Sequence, residues 1–214
     1  AKTQGEKNGY QQGSAQNIHG FVPASYQPVP GSATRESVHT SHHGVAVLEN
    51  GRTDAAVCTD CHGTHDILEH EVTNGASPEI RALVHASPTF KKNVPALCGT
   101  CHRDGAAAAV RYKGEESSII EHYSMSIHGK GLVESGLVVS ATCTDCHTSH
   151  AIQPSNMAES SVSRANVADT CGRCHEGIDR TFRESIHFTG HSREDHEIPM
   201  CDDCHSTTTW SPAT

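Results

Sequence analysis

Residues 143–152 read Cys143-Thr144-Asp145-Cys146-His147-Thr148-Ser149-His150-Ala151-Ile152, and the first five decide the architecture. On a helical turn, positions i, i+3 and i+4 share one face. Two thiols and an imidazole at that spacing fit covalent haem attachment: the cysteines bond the two vinyl-derived carbons, and the histidine reaches the iron. The same Cys-x-x-Cys-His spacing recurs at Cys58-Cys61-His62, Cys98-Cys101-His102, Cys171-Cys174-His175 and Cys201-Cys204-His205. Five motifs consume all ten cysteines. Zinc ribbons use paired Cys-x-x-Cys units, for which five is an odd number, and neither they nor a disulfide framework explain a histidine after every pair. A thioredoxin-type redox pair should occur once within a βαβ pattern, and no such pattern is present. The expected cofactor is therefore five covalently bound haem c.

Composition points the same way. The chain of 214 residues is 35% hydrophobic, with four Phe, four Tyr and one Trp. That is too few large apolar side chains for an ordinary core. The expected fold is mostly short α-helices and irregular loop packed around haems, with little or no β structure and haem in place of a side-chain core. The formal charge is −9, and five haems add about ten propionates against about five ferric charges. An acidic surface excludes nucleic acid as a natural partner and suits basic redox partners. No apolar run has the length of a membrane span. The Ala1-Lys2-Thr3 start suits a mature terminus after signal cleavage, and with Cys58 the first cysteine, no N-terminal lipid-bearing cysteine is expected.

An internal repeat organises the chain. The first copy runs from Ser37-Val38-His39 through the Cys58 motif to Asn93-Val94 and the Cys98 motif. The second runs from Ser126-Ile127-His128 through the Cys143 motif to Asn166-Val167 and the Cys171 motif. A partial third begins at Ser185-Ile186-His187 and ends with the Cys201 motif. The expected organisation is an extended arm over 1–31, rich in Gly, Gln, Asn, Ser and Pro, then two-haem modules over 32–110 and 111–180, then a one-haem module over 181–214. Helices are expected over 35–43, 115–127 and 180–187, with Ala106–Ala109 lengthening the helix after the second motif. Leu137–Val139 suggests one short strand.

These words, Ser-x-His-Gly, Cys-Thr-Asp-Cys-His-x-x-His-x-Ile and Asn-Val-x-x-x-Cys-Gly-x-Cys-His, resemble those of multihaem c-type cytochromes of bacterial and archaeal respiration over residues 35–205. The resemblance implies periplasmic or extracellular electron transfer and mostly bis-histidine irons. This chain departs from a uniform repeat at His42-His43, where the second copy has Lys130-Gly131, and at residue 208, where the +3 histidine is replaced by Thr208.

Eighteen histidines leave a surplus beyond the five proximal ones, His62, His102, His147, His175 and His205. Recurrence selects five distal candidates: His39, His128 and His187 of the Ser-x-His words, and His65 and His150 three residues past a proximal histidine. His65 and His150 sit near the same side as their own proximal ligand. Either one, if it binds iron, binds a neighbouring haem and clamps two haems together. His19, His42, His43 and His85 are the alternates. Met125, Met157 and Met200 stand at no repeated position and are not preferred. No catalytic residue is assigned. The reading is electron transfer by closely packed haems, in the periplasm or outside the cell, with redox proteins or extracellular acceptors as partners. Assembly stays open between a head-to-tail homopolymer using His19 of the arm, a subunit of a membrane respiratory complex, and a free shuttle. The enzyme alternative, an oxyanion reductase, needs an open axial position. Pentahaem nitrite reductases use a Cys-x-x-Cys-Lys site, which this sequence lacks.

Overall fold

The computed structural model describes residues 35–65, 67, 76–111, 118–189 and 199–205; the expected arm and His19 lie outside them. In chain order the helices are α1 (Arg35–Thr40), α2 (His42–Leu48), α3 (Cys58–His62), α4 (Pro78–Ala86), α5 (Val94–His102) and α6 (Ala107–Arg111). They continue as α7 (Ile119–Met125), α8 (Ile127–Val133), α9 (Cys143–His147), α10 (Val167–Gly172), α11 (Glu176–Glu184), α12 (Ile186–Thr189) and α13 (Cys201–Cys204). None of these exceeds nine residues, and the described residues contain no strand. The fold is short helices and loop. The expected strand at Leu137–Val139 is a turn instead: Leu137 N–H donates to Gly131 O (2.8 Å) and Ser140 N–H to Leu137 O (2.9 Å). Those local bonds use the backbone groups that a ladder would need.

Side chains supply little core. The buried hydrophobic residues are Val84, Val94, Ala109, Ile120, Leu132, Val167, Ala168 and Met200. Serines organise the helix pairs instead. Ser41 breaks α1 from α2 with extended backbone (φ −66°, ψ 159°). Its hydroxyl donates to Val38 O (2.7 Å) and accepts from Gly44 N–H (3.0 Å). Ser126 repeats this between α7 and α8, donating to Tyr123 O (2.6 Å) and accepting from Gly129 N–H (3.1 Å). A cap of this kind is worth about 1 kcal/mol. The glycines permit the close approach: a Cβ on Gly44 or Gly129 would lie 2.0 Å from the carbonyl oxygen of Val38 or Tyr123. In the third copy Ser185 still donates to Phe182 O (2.6 Å), but Phe188 stands at the glycine position and packs edge-on against Phe182, 5.4 Å between centroids.

The structure thereby corrects the register of the first copy. Ser41-His42-His43-Gly44, not Ser37-Val38-His39, is the counterpart of Ser126-Ile127-His128-Gly129, and both serines precede their motif by the same interval (41 to 58, 126 to 143). Residues 107–109 of that run fall in the separate helix α6, after a turn where Gly105 takes φ +76°.

Candidate haem-attachment and iron-ligating sites

Each copy's first motif forms a one-turn helix, α3, α9 or α13. Its nucleating residue is the aspartate third in the motif. Asp60 accepts from Val57 N–H, Asp145 from Thr142 N–H and Asp203 from Met200 N–H, each at 2.7 Å. A carboxylate in the first turn satisfies a donor that has no helical partner. The second motifs lack this aspartate and are reached through longer helical approaches. There Asn93 Nδ2 donates to His85 O (2.9 Å) and Ser87 O (2.8 Å). Asn166 Nδ2 does the same to Ala158 O (2.8 Å) and Ser160 O (2.9 Å). Two equivalent turns thus deliver Cys98 and Cys171.

The motif cysteines are free thiols that meet across motifs. Cys98 and Cys143 hydrogen-bond to one another, which together with burial pushes the Cys98 thiol up, while that same bond pulls Cys143 down. Cys171 and Cys201 repeat the arrangement. Cys61 lies near enough to Cys101, and Cys146 to Cys174, for their charges to interact. Consecutive motifs are therefore neighbours in space, in chain order.

Histidine rings pair at three of the five motif histidines. The His62 and His150 rings are near-parallel, 5.9 Å between centroids at 7°. His102 faces His43 at 6.1 Å, and His175 faces His128 at 6.2 Å. An imidazole–metal bond of about 2 Å, with the ring centre roughly 1 Å behind the nitrogen, puts two axial rings on one metal roughly 6 Å apart. All three centroid separations match that spacing, which makes these histidines candidates to hold an iron. Burial first, then neighbouring imidazoles, lower the pKa of His43, His102, His128 and His147. That keeps the neutral, ligating form. His147 keeps solvent-accessible surface, and the imidazole close enough to lower its pKa is His102 of the second motif.

Of the other candidates, His39 is exposed at the end of α1, and His187 is exposed on α12. His65 is exposed, with Nδ1 2.9 Å from the Thr64 hydroxyl. His42 stands beside its sequence neighbour His43 (6.5 Å). His85 packs on Phe90 (4.5 Å), and exposed His205 caps α13. Met200 is buried against Val167 and Ala168, whereas Met125 and Met157 are exposed. A cavity of about 430 Å³ opens beside His62, between Gly63–His65 and Leu83–Pro88.

Residues 136–180, which hold the Cys143 and Cys171 motifs, match the family of the doubled CXXCH motif. This stretch is a c-type haem-binding region. The doubled motif indicates covalently bound haem and the electron-transfer chemistry of multihaem c-type cytochromes. No curated protein and no solved structure matches the chain.

Sequence reasoning placed His43 only among the alternates, behind His39, although its spacing to Cys58 carried the signal. It missed Thr148, the one non-glycine residue with positive φ (65°) among the described residues. Gly63 holds the equivalent place in the first motif with φ +72°. Side-chain identity alone does not reveal that strain.

Proposed function

We propose that the chain is a five-haem electron conduit of c type, and the ring pairs at 5.9, 6.1 and 6.2 Å carry the reading. All ten motif cysteines hold the haems covalently, and His62, His102, His147, His175 and His205 are the proximal ligands. His150 is the distal ligand opposite His62, His43 opposite His102, and His128 opposite His175. The bound haem supplies one-electron exchange between ferric and ferrous iron. The protein's part is to hold two neutral imidazoles in line, which leaves no axial site for substrate and favours the ferric state more than a His/Met pair does. Because His150 belongs to the second copy and faces a ligand of the first, ligation also ties the copies together. The modules 32–110, 111–180 and 181–214 are the corresponding units.

A periplasmic or extracellular setting agrees with the repeat words and the acidic composition, and no helix among the described residues is long and apolar enough to cross a membrane. Partners are redox proteins or extracellular acceptors. Assembly into a head-to-tail polymer through the arm and His19 is the favoured mode, with a respiratory complex or a free shuttle as alternatives. One observation favours a second reading, a ligand-binding iron at the third motif: the imidazole that acts on His147 is His102, a motif histidine itself, and not one of the spare histidines.

Intact mass of protein matured with haem tests the proposal. The expected mass is the polypeptide plus five haems, with spectra dominated by low-spin iron. A fully matured protein holding fewer haems, or one holding zinc, overturns it. A high-spin signal that carbon monoxide shifts favours the second reading.

A further inference from the structure

Two ion pairs occupy equivalent places in the repeat. Lys91 lies seven residues before Cys98, and its Nζ meets Asp145 at 3.1 Å. Arg164 lies seven residues before Cys171 and forks onto both carboxylate oxygens of Asp203 at 3.0 and 2.8 Å. In each case the cation precedes the second motif of one copy, and the carboxylate is the third residue of the first motif in the next copy. Both ends are anchored to backbone. The cations sit in the turns held by Asn93 and Asn166, while the carboxylates also accept the helix-starting N–H of Thr142 and Met200. Beside each pair the sulfurs of the two motifs meet, Cys98 with Cys143 and Cys171 with Cys201. Asp60, the equivalent carboxylate of the first copy, has no preceding copy in this sequence and no ion pair among the described residues.

These side chains are 32% and 39% exposed at the first junction and 40% and 40% at the second. Pairs that open to water contribute little to stability. Their recurrence beside the sulfur contacts points to orientation. We propose that Lys91–Asp145 and Arg164–Asp203 are positioning pairs, which fix the angle between the second-motif helix of one copy and the first-motif helix of the next. They thereby set the electronic coupling of the two haems whose attachment edges meet there. The inference rests on the proposed haem loading.

The test uses holoprotein variants Lys91→Gln, Lys91→Arg, Arg164→Gln and Arg164→Lys, with haem count by mass and the bisignate Soret circular dichroism of adjacent haems. The Gln variants keep the parent haem count and melting profile but lose part of the Soret couplet. Lys91→Arg retains it, and Arg164→Lys retains it incompletely because the fork is lost. In the unaltered protein, raising the salt from low to about 1 M moves the couplet the same way, since exposed pairs are screened. That arm needs no variant to mature. A couplet unchanged by both Gln substitutions and by salt overturns the positioning role. Fewer than five haems in the parent protein instead strikes the functional reading on which it rests.

Discussion

The junction between the first and second copies and the junction between the second and third share a plan and differ in one component. Both have a cation seven residues before a second motif, bound to the aspartate of the next first motif, and both bring two cysteine sulfurs together. The first junction adds a ring that crosses between copies, His150 against His62. It also adds two hydrogen bonds, from His42 N–H to Ile152 O (2.7 Å) and from the Gln153 side-chain Nε2 to Thr40 O (2.6 Å). At the second junction the residue matching His150 is Thr208. The ion pair is therefore the constant element of the repeat and the crossing ligand the variable one. In the proposed scheme, placement of neighbouring copies and ligation across them are separate roles.

The largest expected effect breaks the helix pairs from which both junctions hang. Gly44→Ala and Gly129→Ala each set a Cβ against a backbone carbonyl 2.0 Å away, at a cost of about 3 kcal/mol or more. Chemical denaturation should show that loss in either variant. Phe188→Ala in the third copy, where no such approach exists, should cost only about 1 kcal/mol through its contact with Phe182. Equal losses at all three positions would erase the distinction between the copies.

A smaller effect sharpens the comparison at the crossing ligand. Thr148 joins His147 to the segment bearing His150 with φ 65° and ψ 171°, a region natural to glycine, and its buried hydroxyl has no partner among the described residues. Replacing Thr148→Gly should relieve the strain and raise the denaturation free energy by about 1 kcal/mol. A loss of that size, as glycine causes at an unstrained position, would show that Thr148 holds no strain.

Much of this was legible in the sequence. Motif spacing put the cysteine motifs on helical turns, and scarce large apolar residues foretold a thin side-chain core. The position of His150 three residues past His147 argued for a bond to another haem, and the ring does lie against a different motif's histidine. The Ser-x-His words were legible too, but two stand close together at the start of the first copy. What distinguishes them is glycine after histidine, together with the interval to Cys58. His43 has both and His39 neither. Other features depend on the folded backbone. The valines at 138 and 139 suit a strand by propensity, yet the fold turns there because Gly131 O takes the Leu137 N–H. The Lys91–Asp145 pair joins residues whose neighbourhood only the packed helices create, and charge pattern alone does not name partners so far apart.

The central claim is that facing histidines from different copies are two ligands of one iron. Electron paramagnetic resonance of the oxidised His150→Ala holoprotein tests it most directly. No cysteine changes, so five haems should stay attached while one iron turns high-spin, and restoring imidazole in solution should return it to low-spin. Nuclear relaxation should place that iron at the Cys58–Cys61–His62 motif. A spectrum that remains wholly low-spin without added imidazole, or a high-spin iron at the Cys143–Cys146–His147 motif, would contradict the account.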